Sequence, residues 1–228
     1  MKKVFLTLAI ASIAFGSFAQ TQLGLKLGYN SSKITTAFIT DNDNKDMIQD
    51  VYKDFIGSTT GFNIGLVYTS TTDKVFSFQQ ELSFSQRGFE ILDADKKSVG
   101  NTRMNYIDIK PLFNFGGGAD NWRAYAQVGP SVNIWMSKAS YDEDGTFEDK
   151  SDEWQNATAD EDGENDIRVE LGFVAGIGFK YKVGPGWLLF NPRYEWGLTP
   201  TTIVDTGSKG YAIVNRTLSI NAGYLYEF

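Results

Sequence analysis

The sequence predicts an all-β fold: an eight-stranded antiparallel transmembrane β-barrel, wound as an up-and-down meander. Three observations predict it. Hydrophobicity alternates with period two in eight segments and no long amphipathic helix intervenes; the connections between segments alternate long and short; and glycine gathers on the polar face of the strands.

The segments follow in order. The first, 22–31, sets Leu23, Leu25, Leu27 and Tyr29 against Gly24, Lys26, Gly28 and Asn30. The second, 59–69, sets Phe62, Ile64, Leu66 and Tyr68 against Gly61, Asn63 and Gly65. The third, 75–87, opposes Phe76, Phe78, Leu82 and Phe84 to Ser77, Gln79, Glu81, Ser83 and Ser85. The fourth, 104–115, alternates Ile107, Ile109, Phe113 and Phe115 with Tyr106, Asp108 and Lys110. The fifth, 122–137, opposes Ala124, Ala126, Val128, Val132 and Ile134 to Arg123, Gln127, Ser131 and Asn133. The sixth, 167–180, is the clearest, running Ile167, Val169, Leu171, Phe173, Ala175, Ile177 and Phe179 against Arg168, Glu170, three glycines and Lys180. The seventh, 187–198, sets Leu188, Phe190, Tyr194 and Trp196 against Asn191, Arg193 and Glu195. The eighth, 213–228, carries Leu218, Ile220, Ala222, Tyr224, Tyr226 and Phe228 on its apolar face.

Long connections span 32–58, 89–103, 138–165 and 199–212, and tight turns fall at 71–74, 116–121 and 183–186. An even-stranded barrel of a Gram-negative outer membrane has this rhythm, with short periplasmic turns, long extracellular loops and both termini on the periplasmic side. Alternation alone also fits a soluble ligand-carrying barrel whose apolar face points inward. Glycine decides between them. Gly24, Gly28, Gly61, Gly65, Gly129, Gly172, Gly176, Gly178, Gly197 and Gly223 share the polar face, which suits a crowded narrow lumen and serves no purpose on a water-facing surface. Tyr29, Tyr68, Trp122, Trp187, Trp196, Tyr224 and Phe228 near strand ends are girdle candidates, although Trp122 and Trp187 break the apolar parity.

Residues 1–19 read as a signal peptide: Lys2 and Lys3, then an apolar run from Val4 to Phe15, then small residues ending at Ala19. That run is too short for a transmembrane helix, which needs about 20 apolar residues. The barrel domain is then 20–228. The chain has neither cysteine nor histidine. That removes thiol chemistry and the usual general base, so the barrel is expected to be no enzyme and to need no cofactor. A carboxylate pair such as Asp108 with Glu81 lacks an accompanying nucleophile.

With the polar face inward, the lumen holds Lys26, Glu81, Arg87, Asp108, Lys110, Arg123, Arg168, Glu170, Lys180, Arg193, Glu195 and Glu227. Charges at that density must pair or keep water, because unpaired burial costs several kcal/mol per ion. A cross-barrel network that plugs the lumen is the leading expectation, and a proton or ion path the alternative. Net charge is −7, and twelve acidic residues against one base fall between Asp142 and Asp166. That loop disfavours nucleic acid as a partner. Its acidic run supplies weak cation candidates, Asp160, Asp162, Glu164 and Asp166, without the spacing of a full calcium loop; a solvated acidic loop is the plainer reading.

In the first loop Met47, Ile48, Val51, Tyr52, Phe55 and Ile56 recur at helical spacing over 46–56, which predicts a short amphipathic helix on the extracellular mouth. Outer-membrane lipid and a protein met through loops 32–58 and 138–165 are the expected partners. Pro111, Pro130 and Pro192 fall inside strands, each removing a ladder donor, and predict local bulges.

Several motifs carry a family likeness. The run from Phe76 to Gly88 (FSFQQELSFSQRG) resembles the third-strand signature of the PorT-type outer-membrane β-barrel family. Asn105-Tyr106-Ile107-Asp108-Ile109, then Tyr125-Ala126-Gln127-Val128-Gly129-Pro130-Ser131, Gly176-Ile177-Gly178 and Arg193-Tyr194-Glu195-Trp196-Gly197-Leu198 follow in family order over essentially the whole mature chain. Lys110 departs from the family pattern, in which the aliphatic residue leads directly into proline. The resemblance implies the barrel and the membrane, and through the family's named member an association with a dedicated export apparatus. It implies no active residues.

Overall fold

The computed structural model describes residues 20–37, 53–71, 75–142, 147–149, 164–166, 168–205 and 210–228. The expected signal peptide lies outside them. Eleven strands form: β1 (Gln20–Ala37), β2 (Ile56–Thr71), β3 (Phe76–Leu92), β4 (Ser98–Ala119), β5 (Trp122–Asp142), β6 (Phe147–Asp149), β7 (Glu164–Asp166), β8 (Val169–Val183), β9 (Gly186–Gly197), β10 (Thr202–Asp205) and β11 (Gly210–Glu227). Eight of these are staves, hydrogen-bonded in the order β1-β2-β3-β4-β5-β8-β9-β11, and β11 returns to pair antiparallel with β1. The ring is closed and has no free edge, the condition that lets backbone enter lipid at all. The C-terminal residue extends the seam, with Phe228 N–H donating to Thr21 O.

Side-chain burial alternates along each stave, as in β9, and the apolar face is the exposed one. Leu25 and Leu27 of β1, Leu66 of β2, Ile177 of β8 and Phe190 of β9 stand at least half exposed, while Lys26, Asn63 and Glu195 between them are buried. A surface greasy in this way is stable only against hydrocarbon. Glycines make the interior tight enough to fill. At Gly28 a Cβ would run into the amides of Asn63 and Asn221, and at Gly178 into the ring of Tyr125, which lies across it from the paired position on β5.

Several expectations are corrected. The supposed long connection 89–103 is a β-hairpin, because β3 runs to Leu92 and β4 begins at Ser98. At the tip Asp93 accepts the N–H groups of Asp95 and Lys97, and Lys96 takes a left-handed φ of 62°. β4 has 22 residues where about 9–11 cross a bilayer, so its outer face on the extracellular side extends beyond the lipid. Hydrophobic alternation stops there although the ladder continues. For the same reason β5 continues to Asp142, and β10 forms inside the fourth loop.

The prolines cause no bulge. Pro130 pairs with Phe173, Pro192 with Ile220, and the β4–β5 register is the same on either side of Pro111. A strand residue directs its N–H and C=O to one neighbour only, so a proline forfeits one bond to one side and the other ladder holds. The register shifts fall instead between Ser58 and Asn63 of β2, at Ile91/Leu92 of β3, and at Asn105/Tyr106 of β4.

Trp122 keeps the apolar parity after all, outward with Ala124 and stacked on Phe179, whereas Trp187 is no girdle residue: it is buried inside the barrel against Val67 and Leu225. The first-loop helix falls mostly outside the described residues. Only 53–55 are seen to be helical, and Ile56 already opens β2.

Candidate functional site

The lumen is the candidate site, and at its waist the staves bring together a compact set of charges. Their inward parity comes from the strand period, and their height from the register. Glu81 of β3 sits opposite Lys110 of β4, and Ser83 opposite Asp108, so that cations and carboxylates interleave at neighbouring levels. Lys26 Nζ lies 2.6 Å from Glu81 Oε2, and Arg193 NH2 lies 2.9 Å from the same oxygen. Arg87 reaches across the barrel, 2.7 Å to Asp108 and 3.2 Å to each oxygen of Glu195. Lys110 Nζ binds the same two carboxylates, at 2.9 Å from Asp108 and 2.8 Å from Glu195.

Arg87 is 1% exposed, Lys26 2% and Glu81 3%, so these are fully desolvated contacts. Such pairs hold only where the remaining lone pairs and protons are also met. They largely are. Glu195 accepts further bonds from Ser131 Oγ and Asn133 Nδ2, and Glu81 from Gln79 Nε2.

A relay of amides extends the waist toward the periplasm. Asn191 donates to Gln127, Gln127 to Asn114, Asn114 to Gln79, and Gln79 to Glu81. On the extracellular side Glu170 has no cation within ion-pair distance among the described residues. It accepts from Asn215 Nδ2 at 2.8 Å. Asn215 also donates to Tyr106 Oη, and the Tyr106 ring lies 5.1 Å from the Arg87 guanidinium carbon. The waist and its fringe thus contain four cations, Lys26, Arg87, Lys110 and Arg193, and four acids, Glu81, Asp108, Glu170 and Glu195. Formal charge is balanced there.

Four of the sequence-derived lumen residues stand apart from the waist. Arg123 lies half-buried at the periplasmic mouth, its guanidinium 5.9 Å over the Trp187 ring. Arg168 is a correction: it precedes β8, is exposed at the extracellular rim, and donates from Nε to Trp135 O. Parity placed both inward, but the ends of a barrel open, and position along the strand outweighs parity there. Lys180 and Glu227 also lie at the mouth, where Glu227 pairs with Lys182 at 3.0 Å.

Of the inward apolar residues, only Tyr106 and the parity break at Trp187 were visible in the sequence. Met104, Tyr106 and Trp135 pack together toward the extracellular side, and Val67, Trp187 and Leu225 toward the periplasmic side. Trp187 had carried a signal, since it broke the apolar parity of its strand. The amide relay had none beyond polar residues at inward positions.

Of the cation candidates, Asp160 and Asp162 lie outside the described residues, and Glu164 and Asp166 are described by backbone alone, in β7. Among the described residues no three or more of His, Cys, Asp and Glu are grouped to hold a metal ion.

A closed ring of eight staves, lipid-facing outside and charged within, agrees with the sequence comparison, in which residues 18–202 match the family described as outer membrane protein beta-barrel domain. The chain belongs to that family. It is an integral protein of the outer membrane, crossed by strands. No curated protein matches it. Solved structures similar to it include OprG of Pseudomonas aeruginosa, 11% identical with a TM-score of 0.49 over 92% of this chain and 96% of that one. Ail of Yersinia pestis is 13% identical with a TM-score of 0.42 over 92% and 99%. A major outer membrane protein of Thermus thermophilus is 10% identical with a TM-score of 0.44 over 90% and 99%.

Proposed function

We propose that this is a non-enzymatic outer-membrane barrel with a plugged lumen, acting through its extracellular loops in envelope structure, adhesion or assembly and secretion. The observation that carries the reading is the waist. Every cation in it touches at least one carboxylate, and side chains from β1, β3, β4, β5 and β9 meet across the lumen. Opening a path would separate desolvated ion pairs, at about 3–5 kcal/mol for each partner removed. That leaves the outer face as the working surface, where the loops 32–58 and 138–165 are the longest and the second is strongly acidic. The ordered motifs from Phe76 to Leu198 support a PorT-type kinship and, through it, a place beside an export apparatus. Residues 1–19 acting as a cleaved export signal is part of the same proposal. The alternative, a narrow channel for ions or small solutes, requires the waist to separate.

Photocrosslinking in the native cell tests the loop reading. A crosslinking amino acid at Tyr52 or Trp154 is expected to yield discrete protein adducts, and the same probe at lipid-facing Leu66 none. Adducts from neither loop position would overturn it.

A further inference from the structure

The periplasmic mouth holds a small pocket of about 20 Å³, open to solvent on one side, whose polar lining includes Gln22, Asn114, Arg123, Tyr125 and Lys180. Two of those side chains are cations, and neither forms an ion pair among the described residues. Lys180 is 5% exposed, and among the described residues its ammonium donates only to the neutral Gln22 Oε1, at 3.1 Å, while lying 5.7 Å over the Tyr125 ring. Arg123 makes no ion pair with any carboxylate among the described residues, and its one close partner is the face of Trp187.

The nearby acids are committed elsewhere. Glu227 takes Lys182 and the indole N–H of Trp187, and Glu81 takes Lys26 and Arg193. Burying an ammonium without a counter-charge is costly, and the mouth contrasts in this with the balanced waist above it. Donors are in surplus as well. An ammonium has three N–H groups and a guanidinium five, and the Tyr125 hydroxyl has no hydrogen-bond partner among the described residues.

We propose that this mouth binds a phosphate group between Lys180 and Arg123. A tetrahedral oxyanion supplies the missing negative charge and accepts from the ammonium and the guanidinium fork together, the pairing for which both side chains are suited. The group comes either from free inorganic phosphate in the periplasm or from the phosphodiester of an inner-leaflet phospholipid. Val75, on the cavity's rim and 62% exposed, places an apolar surface where acyl chains would lie.

The test uses the full barrel folded in alkyl maltoside micelles, in phosphate-free buffer, titrated with inorganic phosphate and followed by calorimetry and ³¹P line broadening. A parallel arm folds it in nanodiscs of phosphatidylcholine with and without phosphatidylglycerol and reads retained lipid by native mass spectrometry. Saturable phosphate binding, weakened at least tenfold in both Lys180→Met and Arg123→Gln and unchanged in Lys96→Gln, supports a site open to the free ion. Retention of phospholipid, lost in the same two variants and without phosphate binding, assigns the site to the headgroup. Heat-modifiable gel mobility confirms that each variant is folded, and Lys180→Arg, which keeps the charge, should bind. Absence of both binding and retention in the wild type, or equal binding in the variants, overturns the proposal.

Discussion

The waist and the periplasmic mouth are built from the same kinds of residue on the same inward faces, yet they differ in balance. At the waist four cations pair with three carboxylates while a fourth acid, Glu170, stands beside them, and Arg87 and Lys110 each touch two carboxylates. At the mouth Lys180 and Arg123 meet neutral amides and aromatic faces. Buried charge closes a barrel where it is reciprocated and leaves a demand for a ligand where it is not. Register alone separates the two regions, since Lys180 and Arg123 are directly paired on β8 and β5, with no acid placed opposite either.

The contrast breaks most readily at Arg87. Arg87→Met leaves Asp108 to Lys110 alone and removes two contacts to Glu195, and is expected to cost about 3–5 kcal/mol in urea-driven unfolding from lipid vesicles. Lys26→Met should cost less, about 1.5–3 kcal/mol by the same measurement, because Glu81 keeps Arg193 and Gln79. At the mouth the sign reverses. In phosphate-free buffer Lys180→Met should raise stability by about 1 kcal/mol, since it removes a buried charge that nothing neutralises; a loss as large as that of Lys26→Met would erase the distinction between the regions. Smallest is Lys96→Ala on the extracellular hairpin, whose 3.2 Å pair with Asp54 is more than half exposed. It should cost about 0.2–1 kcal/mol, and the difference should fade in high salt.

The staves themselves were legible because lipid on one side and a packed lumen on the other impose period two on every residue between them. Leu23 to Tyr29 and Val169 to Phe179 show it plainly. Beyond the bilayer that pressure ends. The hairpin around Asp93 therefore read as a loop, although its ladder is continuous with the barrel. Waist residues such as Lys26, Glu81 and Glu195 were identifiable from parity, but their partners were not, because which levels meet depends on register and on long side chains crossing the lumen. Arg168 shows the limit of parity at a strand end. Prolines do not mark the bulges, because ladder bonds alternate between neighbours and each missing donor weakens one side only. Trp187 broke the alternation of its strand and turned out to cap an apolar layer inside the barrel.

The central claim is that the waist is closed, and single-channel recording in planar lipid bilayers tests it most directly. The wild-type barrel should insert and remain electrically silent, while Arg87→Ala combined with Glu195→Ala, which empties the centre of the waist, should introduce conductance steps. Steady steps from the wild type would contradict the account and make the lumen a channel.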